Sequence, residues 1–361
     1  MIDLNEIVNT IGDLDAAAMD AAQKRQDQLT KPPGSLGVLE QISIRLAGIQ
    51  RRPLPAIGQK VVIVMAGDHG IAEIGASAYP PEVTAQMVYN FAGGGAAVNV
   101  LAKHADVRVV VVDMGVKEDI DCESVLDKKI RRATANMTEG PAMSRDEATA
   151  AVMTGVEVAW EVIKSGASLL ATGDMGIGNT SASSAIIATL GNLPVESVIG
   201  RGTGLDDRAL ANKTMLVKKA LDVNKPDKDD PIDVLAKVGG LEIAGLSGVI
   251  LGAAARRIPV IIDGFISGAA ALAAAKLAPK SVNYMIASHL SAEPGARHVM
   301  TEIGLVPMLH MDMRLGEGTG AVLAMNIVEA STKILNEMAT FAQAGVSDAH
   351  DRLETASHQE I

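Results

Sequence analysis

KVVIVMAGDHG, residues 60–70, is an unbroken apolar, β-branched run that stops at a Gly-Asp pair. Three more runs share its form: DVRVVVVDMGV (106–116), ASLLATGDMGIG (167–178) and RIPVIIDGF (257–265). Continuous apolar runs of this length are expected of strands covered on both faces. The segments between them, EVTAQMVYNFAGGGAAVNVLAKH, EATAAVMTGVEVAWEVIKSG and LEIAGLSGVILGAAARR, read as helices. Alternating β and α units predict an α/β fold: a doubly wound, mainly parallel sheet flanked by helices. The expected large domain is 55–320. Residues 1–54 and 321–361 lack strong strand signals and are expected to form a small helical subdomain beside the sheet. DVNKPDKDDPID (222–233) reads as an exposed connection.

The chain has 361 residues, 48% of them hydrophobic but only 2% aromatic, so small aliphatic side chains and Met must fill the core. A formal net charge of −11 argues against a nucleic-acid or anionic-membrane surface, and any bound phosphate must be met locally. The single cysteine, Cys122, cannot form an intrachain disulfide. The start MIDLNEIVNTIGDLD lacks the basic and apolar regions of a secretory signal, so a cytoplasmic protein is expected. RIPVIIDGFISGAAALAAAKLAP is rich in apolar residues, but Asp263 splits it into pieces too short to span a bilayer.

In open α/β sheets ligands bind beyond the carboxyl ends of the strands. This directs attention to Asp68, His69, Asp113, Asp174–Thr180 and Asp263–Phe265. GDMGIGNTSAS (173–183) follows a strand and opens a helix, with Asn179 or Thr180 as the expected N-cap. Its glycines could bring backbone N–H groups to an anion, or serve only as a turn. IGRGTGLDDRALANKTMLVKK (199–219) offers a second such loop. Lys213, about two turns into the following helix, reads either as a solvated lysine or as a cation over a phosphate. Asp68 with His69 resembles half a metal site without a third ligand, and a polar strand-end turn is the better reading. Ser288, His289 and Ser291 share a loop, but without a nucleophile elbow or an ordered triad.

MRLGEGTGAVLAM (313–325) holds one acid, Glu317, between two glycines at the entrance to an apolar helix. The helix dipole would stabilise a carboxylate there. The flanking glycines, which packing does not require, would also clear space for a flat ligand.

Together AGDHGIAEIGASAYPPEVTAQMVYNFAGGGAAVNVLA, GDMGIGNTSASSAI, GRGTGLDD, PVIIDGFISGAAAL, SHLSAEPG and RLGEGTGAVLAM, with LTKPPGSLGVLE (29–40), resemble in order and spacing the nicotinate-nucleotide:dimethylbenzimidazole phosphoribosyltransferases. The resemblance covers essentially the whole chain. It implies transfer of phosphoribose from nicotinate mononucleotide to a lower-ligand base of cobamides, without a cofactor or metal, in a homodimer or a hetero-oligomer with a paralogue. It implies Glu317 as catalytic base, and Asp174, Gly176, Gly178, Asn179, Thr180, Gly202, Thr203 and Lys213 around the phosphate and ribose. Ser291 would lie near the nicotinate, and Tyr79, Met87, Met175 and Leu315 would border the base. Asp174 stands where the family is expected to have Glu. Tyr79 and Met87, where some relatives present Ser and Gln, imply tolerance of other bases, including phenols. The alternatives are a phosphoribosyl pyrophosphate enzyme, from the strand-acid run VVVVDMGV (109–116), and a noncatalytic paralogue acting as a binding subunit.

Overall fold

The structure, a computed structural model, describes residues 3–202 and 204–347. Its sheet has six strands: β1 (Gln59–Gly67), β2 (Val107–Gly115), β3 (Val125–Asp127), β4 (Ala167–Met175), β5 (Val260–Ile262) and β6 (Met285–Ala287). All are parallel, in the order β3-β2-β1-β4-β5-β6. The four strands expected from their apolar runs are present, with β3 and β6 added at the edges. Val61 to Ala66 on β1 are fully buried, as a central strand covered by helices on both faces requires. The winding reverses between β1 and β4, and the crevice beyond their carboxyl ends is the place such folds offer a ligand.

The expected helix over 82–104 is two helices, Val83–Ala92 and Ala97–Ala105, broken at the Gly93–Gly95 run. Gly94, at φ +79°, takes a left-handed conformation incompatible with continued helix. This break supplies a second helix N-terminus, at Ala97, that a single long helix would not have. Helices Arg145–Lys164 and Leu241–Ala255 cross at glycines: a Cβ on Gly155 would stand 1.9 Å from the Gly245 carbonyl oxygen.

The chain divides into two compact units, Met1–Asp13 with Gly58–Met325, and Leu14–Ile57 with Asn326–Ile361. The first holds the sheet. In the second, helices Ala16–Gln28 and Val38–Gln50 contribute Ala22 and Ala47 to a small core with Leu335. Arg25 donates there to the carbonyls of Leu335 and Asn336, satisfying the open end of helix Thr319–Glu337.

Candidate active site

The loop that carries Glu317 lies directly on β4. A Cβ on Gly173 would approach the Glu317 carbonyl oxygen to 2.4 Å, and one on Gly318 the Thr172 carbonyl to 3.2 Å. Gly316, Glu317 and Gly318 have φ values of +86°, +62° and +91°. Glycine takes this left-handed path freely, whereas Glu317 bears a cost of about 1–2 kcal/mol. The conformation turns its carboxylate away from the helix that begins at Thr319. Instead Oε2 accepts the N–H of Val98, at 3.1 Å, in the first turn of helix 97–105. The dipole that favours this acid therefore belongs to a different helix from the one its sequence position suggests. The helix beginning at Thr319 has its own acid, Asp263 from the end of β5, whose Oδ1 accepts the Ala321 N–H at 2.8 Å.

Glu317, Asp263 and Asp174 are all buried, and all bind protons more tightly than ordinary carboxylic acids. Burial raises Glu317, with the Asp263 charge adding to it and the Val98 hydrogen bond opposing it. Burial pushes Asp263 up to about 7 despite the surrounding backbone N–H groups. Asp174 is raised by burial first and then by the charges of Asp263 and Glu242. Its Oδ2 accepts from the Asn179 amide at 3.0 Å, and a Cβ on Gly316 would lie 3.1 Å from the same oxygen. This acidic region suits a ligand or a transition state that carries positive charge.

Positive charge enters at the glycine loops. Gly176 packs against β1, and Gly178, at φ +97°, is the N-cap of helix Asn179–Leu190. The expected cap, Asn179 or Thr180, is instead the first or second residue inside that helix, which leaves Asn179 free to hold Asp174. Lys213 is not a solvated lysine. It is fully buried, and its Nζ donates to Thr180 Oγ1 at 2.9 Å and to the Gly200 carbonyl at 3.1 Å. Burial lowers it to about 8, with the Glu293 charge opposing. A Cβ on Gly202 would lie 3.0 Å from Thr180 Oγ1 and 3.3 Å from the Lys213 Nζ, which brings the two loops together. Arg314 donates to the Gly202 carbonyl at 3.0 Å. Asp206 caps helix Asp207–Asn224, on which Lys213 rides.

Thr203 lies outside the described residues. Ser291 is buried, with its Cβ 3.6 Å from where a Cβ on Gly264 would stand, beside Asp263. Of the expected base-pocket residues, Tyr79 and Leu315 are exposed, at 53% and 59%, while Met87 and Met175 are half-buried. Sequence reasoning pointed to Asp263 at its strand end without giving it a role, and did not assign Glu242 or Arg314 a place here. The first two had a signal, each being a lone acid inside an apolar run.

Residues 11–346 match the profile of a phosphoribosyltransferase family. A protein of Chloroflexus aggregans named nicotinate-nucleotide–dimethylbenzimidazole phosphoribosyltransferase is 57% identical over 346 residues, 96% of this chain and 98% of its own length. The chain belongs to this phosphoribosyltransferase family. The identically named protein of Desulforudis audaxviator is 56% identical over 96% of the chain and 98% of its own length. A crystal structure of such a phosphoribosyltransferase from Thermus thermophilus superposes with a TM-score of 0.88 at 46% identity, covering 93% of this chain and all of that one. The similarity thus extends from the sequence to the fold.

Proposed function

We propose that the protein transfers the phosphoribosyl group of nicotinate mononucleotide to an aromatic lower-ligand base, releasing nicotinate and forming an α-ribotide for cobamide assembly. The observation that carries this reading is Glu317: a buried carboxylate of raised proton affinity, held by a glycine-flanked left-handed turn on the edge of an acidic crevice. A ring nitrogen of the base attacks C1′ as the bond to the pyridinium nitrogen breaks. The bonding pair goes to the departing ring, which leaves as nicotinate. The new ribotide carries the positive charge until Glu317 takes the N–H proton from the base's other nitrogen. The leaving group is already cationic, so it needs neither protonation nor the Mg²⁺ that a pyrophosphate requires. Attack opposite the departing ring inverts β to α.

In this reading Gly176, Gly178, Asn179 and Thr180 cradle the phosphoribosyl group with Gly202 and Lys213, and Ser291 lies by the nicotinate. The buried acids, Asp174 among them, steady the positive charge that grows on the ribose. Asp174 has a shorter arm than the expected Glu, and it already holds Asn179. Its part is therefore electrostatic and orienting. Tyr79, Met87, Met175 and Leu315 present an adaptable apolar wall, so bases beyond dimethylbenzimidazole are accepted, phenols included, a phenol attacking C1′ through its oxygen and giving its O–H proton to Glu317. The protein acts in the cytoplasm as a homodimer; among the described residues no helix is long and apolar enough to cross a membrane. The test is incubation with nicotinate mononucleotide and, separately, dimethylbenzimidazole, adenine or phenol, following nicotinate and ribotide by mass. Base-dependent ribotide is expected. Product only with phosphoribosyl pyrophosphate and Mg²⁺ would overturn the assignment.

A further inference from the structure

Asp68 and His69, at the end of β1, are buried at 5% and 3% exposure, and the chemistry above uses neither. Each reaches the turn 176–178 through one further side chain. Asp68 receives the hydroxyl hydrogen bond of the fully buried Thr84 and, at 2.8 Å, the Lys117 N–H. Thr84 Oγ1 in turn accepts the N–H of Ile177 at 3.1 Å. On the other side, His69 Nε2 lies 2.7 Å from Glu242 Oε1, with both side chains buried. Burial works against a charged His69, but the Glu242 carboxylate and the Asp68 charge together raise its proton affinity above the usual imidazole range.

The glycines around this pair leave no slack. A Cβ on Gly176 would stand 2.3 Å from the Gly67 carbonyl and 3.4 Å from both Glu242 Oε1 and His69 Cδ2. One on Gly178 would stand 3.2 Å from His69 Cβ, and one on Gly240 would stand 2.4 Å from His69 Cε1. The turn thus rests its glycines on the ion pair and has its one intervening N–H anchored to Thr84.

We propose that Asp68, His69, Thr84 and Glu242 form a positioning assembly that fixes residues 176–180 in their nucleotide-receiving shape before the nucleotide arrives. This rests on the reading of that turn as the phosphoribosyl cradle. A turn already in shape need not be ordered at the moment of binding, so the assembly contributes to affinity for the nucleotide and not for the base.

Two near-isosteric variants separate this role from simple stabilisation. Thr84→Val removes only the hydroxyl, and Glu242→Gln removes only the charge. For folded protein, verified by circular dichroism, calorimetry should show nicotinate mononucleotide binding weakened about tenfold or more. The KM for nicotinate mononucleotide should rise by a similar factor, while the KM for dimethylbenzimidazole stays within about twofold. The double variant His69→Gln with Glu242→Gln, which restores a neutral hydrogen-bonding pair, should recover part of the Glu242→Gln loss. Unchanged nucleotide affinity in the folded variants, or equal rises in both KM values, would overturn the proposal. Should Glu242→Gln fail to fold, Thr84→Val decides. If the native protein binds the nucleotide but makes no ribotide, the reaction is wrong and calorimetry still decides the positioning. If it does not bind the nucleotide, both readings fall.

Discussion

At the scale of single residues, Glu317 and Lys213 carry the sharpest expectations. Glu317→Gln keeps the shape and the Val98 hydrogen bond but cannot take a proton. Its kcat should fall by about 10²–10⁴ with little change in the KM for nicotinate mononucleotide. Lys213 is cationic only below its depressed pKa of about 8. The kcat/KM for nicotinate mononucleotide should therefore fall as pH rises through about 8, and Lys213→Gln should flatten that limb while weakening nucleotide binding at every pH. A pH series on the two proteins checks both statements. Glu317 was legible in the sequence because an acid between two glycines stands out, but the expectation that packing does not require those glycines fails: both take positive φ, and a Cβ on Gly318 would stand 2.7 Å from Val62 Cγ2. That it borrows the N-terminus of helix 97–105 was not legible, because nothing local ties residue 317 to residue 98. The burial of Lys213 was equally hidden: a lysine on a helix looks solvated until tertiary contacts with Thr180 and Gly200 exclude water.

At the scale of elements, β1, β2, β4 and β5 were readable from apolar runs ending at Gly or Asp, whereas β3 and β6, at the sheet edges, lie in stretches that carry no such run. The Gly93–Gly95 break was written in the sequence yet overridden by the helical pattern on either side. The crossing of helices 145–164 and 241–255 depends on Gly155 and Gly248, where a Cβ would stand 1.9 Å and 1.8 Å from opposing carbonyl oxygens. Gly155→Ala must force these helices apart and should cost about 1–3 kcal/mol. Gly140→Ala, with nothing within 4 Å of its Cβ, should leave the midpoint nearly unchanged. Denaturant midpoints for the two variants test whether backbone contact holds this layer together.

At the scale of the whole molecule, the strand order places the acid cluster and both glycine loops at the winding reversal between β1 and β4. The order of motifs in the sequence could identify the family but not which acids face one another. Glu242, a lone charge in an apolar run, acquires meaning only in the folded chain, and Asp263, already marked by its strand end, gains its neighbours Glu317 and Asp174 there. Because the donor's pyridinium ring takes the bonding pair and leaves as nicotinate without needing a metal, ribotide formation should persist in excess EDTA. A metal requirement restored by Mg²⁺ would favour a pyrophosphate donor. Tyr79 and Met87 predict that adenine and phenol compete as acceptors, read as ribotide masses in mixed-base incubations. Product from benzimidazoles alone, even with the others in large excess, would refute that breadth. Light scattering of the protein expressed alone should give twice the chain mass, whereas a monomer without activity would point to a missing paralogue.

The most direct test is a side-by-side reaction of native protein and Glu317→Gln with nicotinate mononucleotide and dimethylbenzimidazole, following nicotinate release and assigning the product anomer by NMR. The account predicts one nicotinate per α-ribotide from the native protein and loss of both in the variant at unchanged nucleotide affinity. A β-ribotide, or a variant as fast as the native protein, would contradict it.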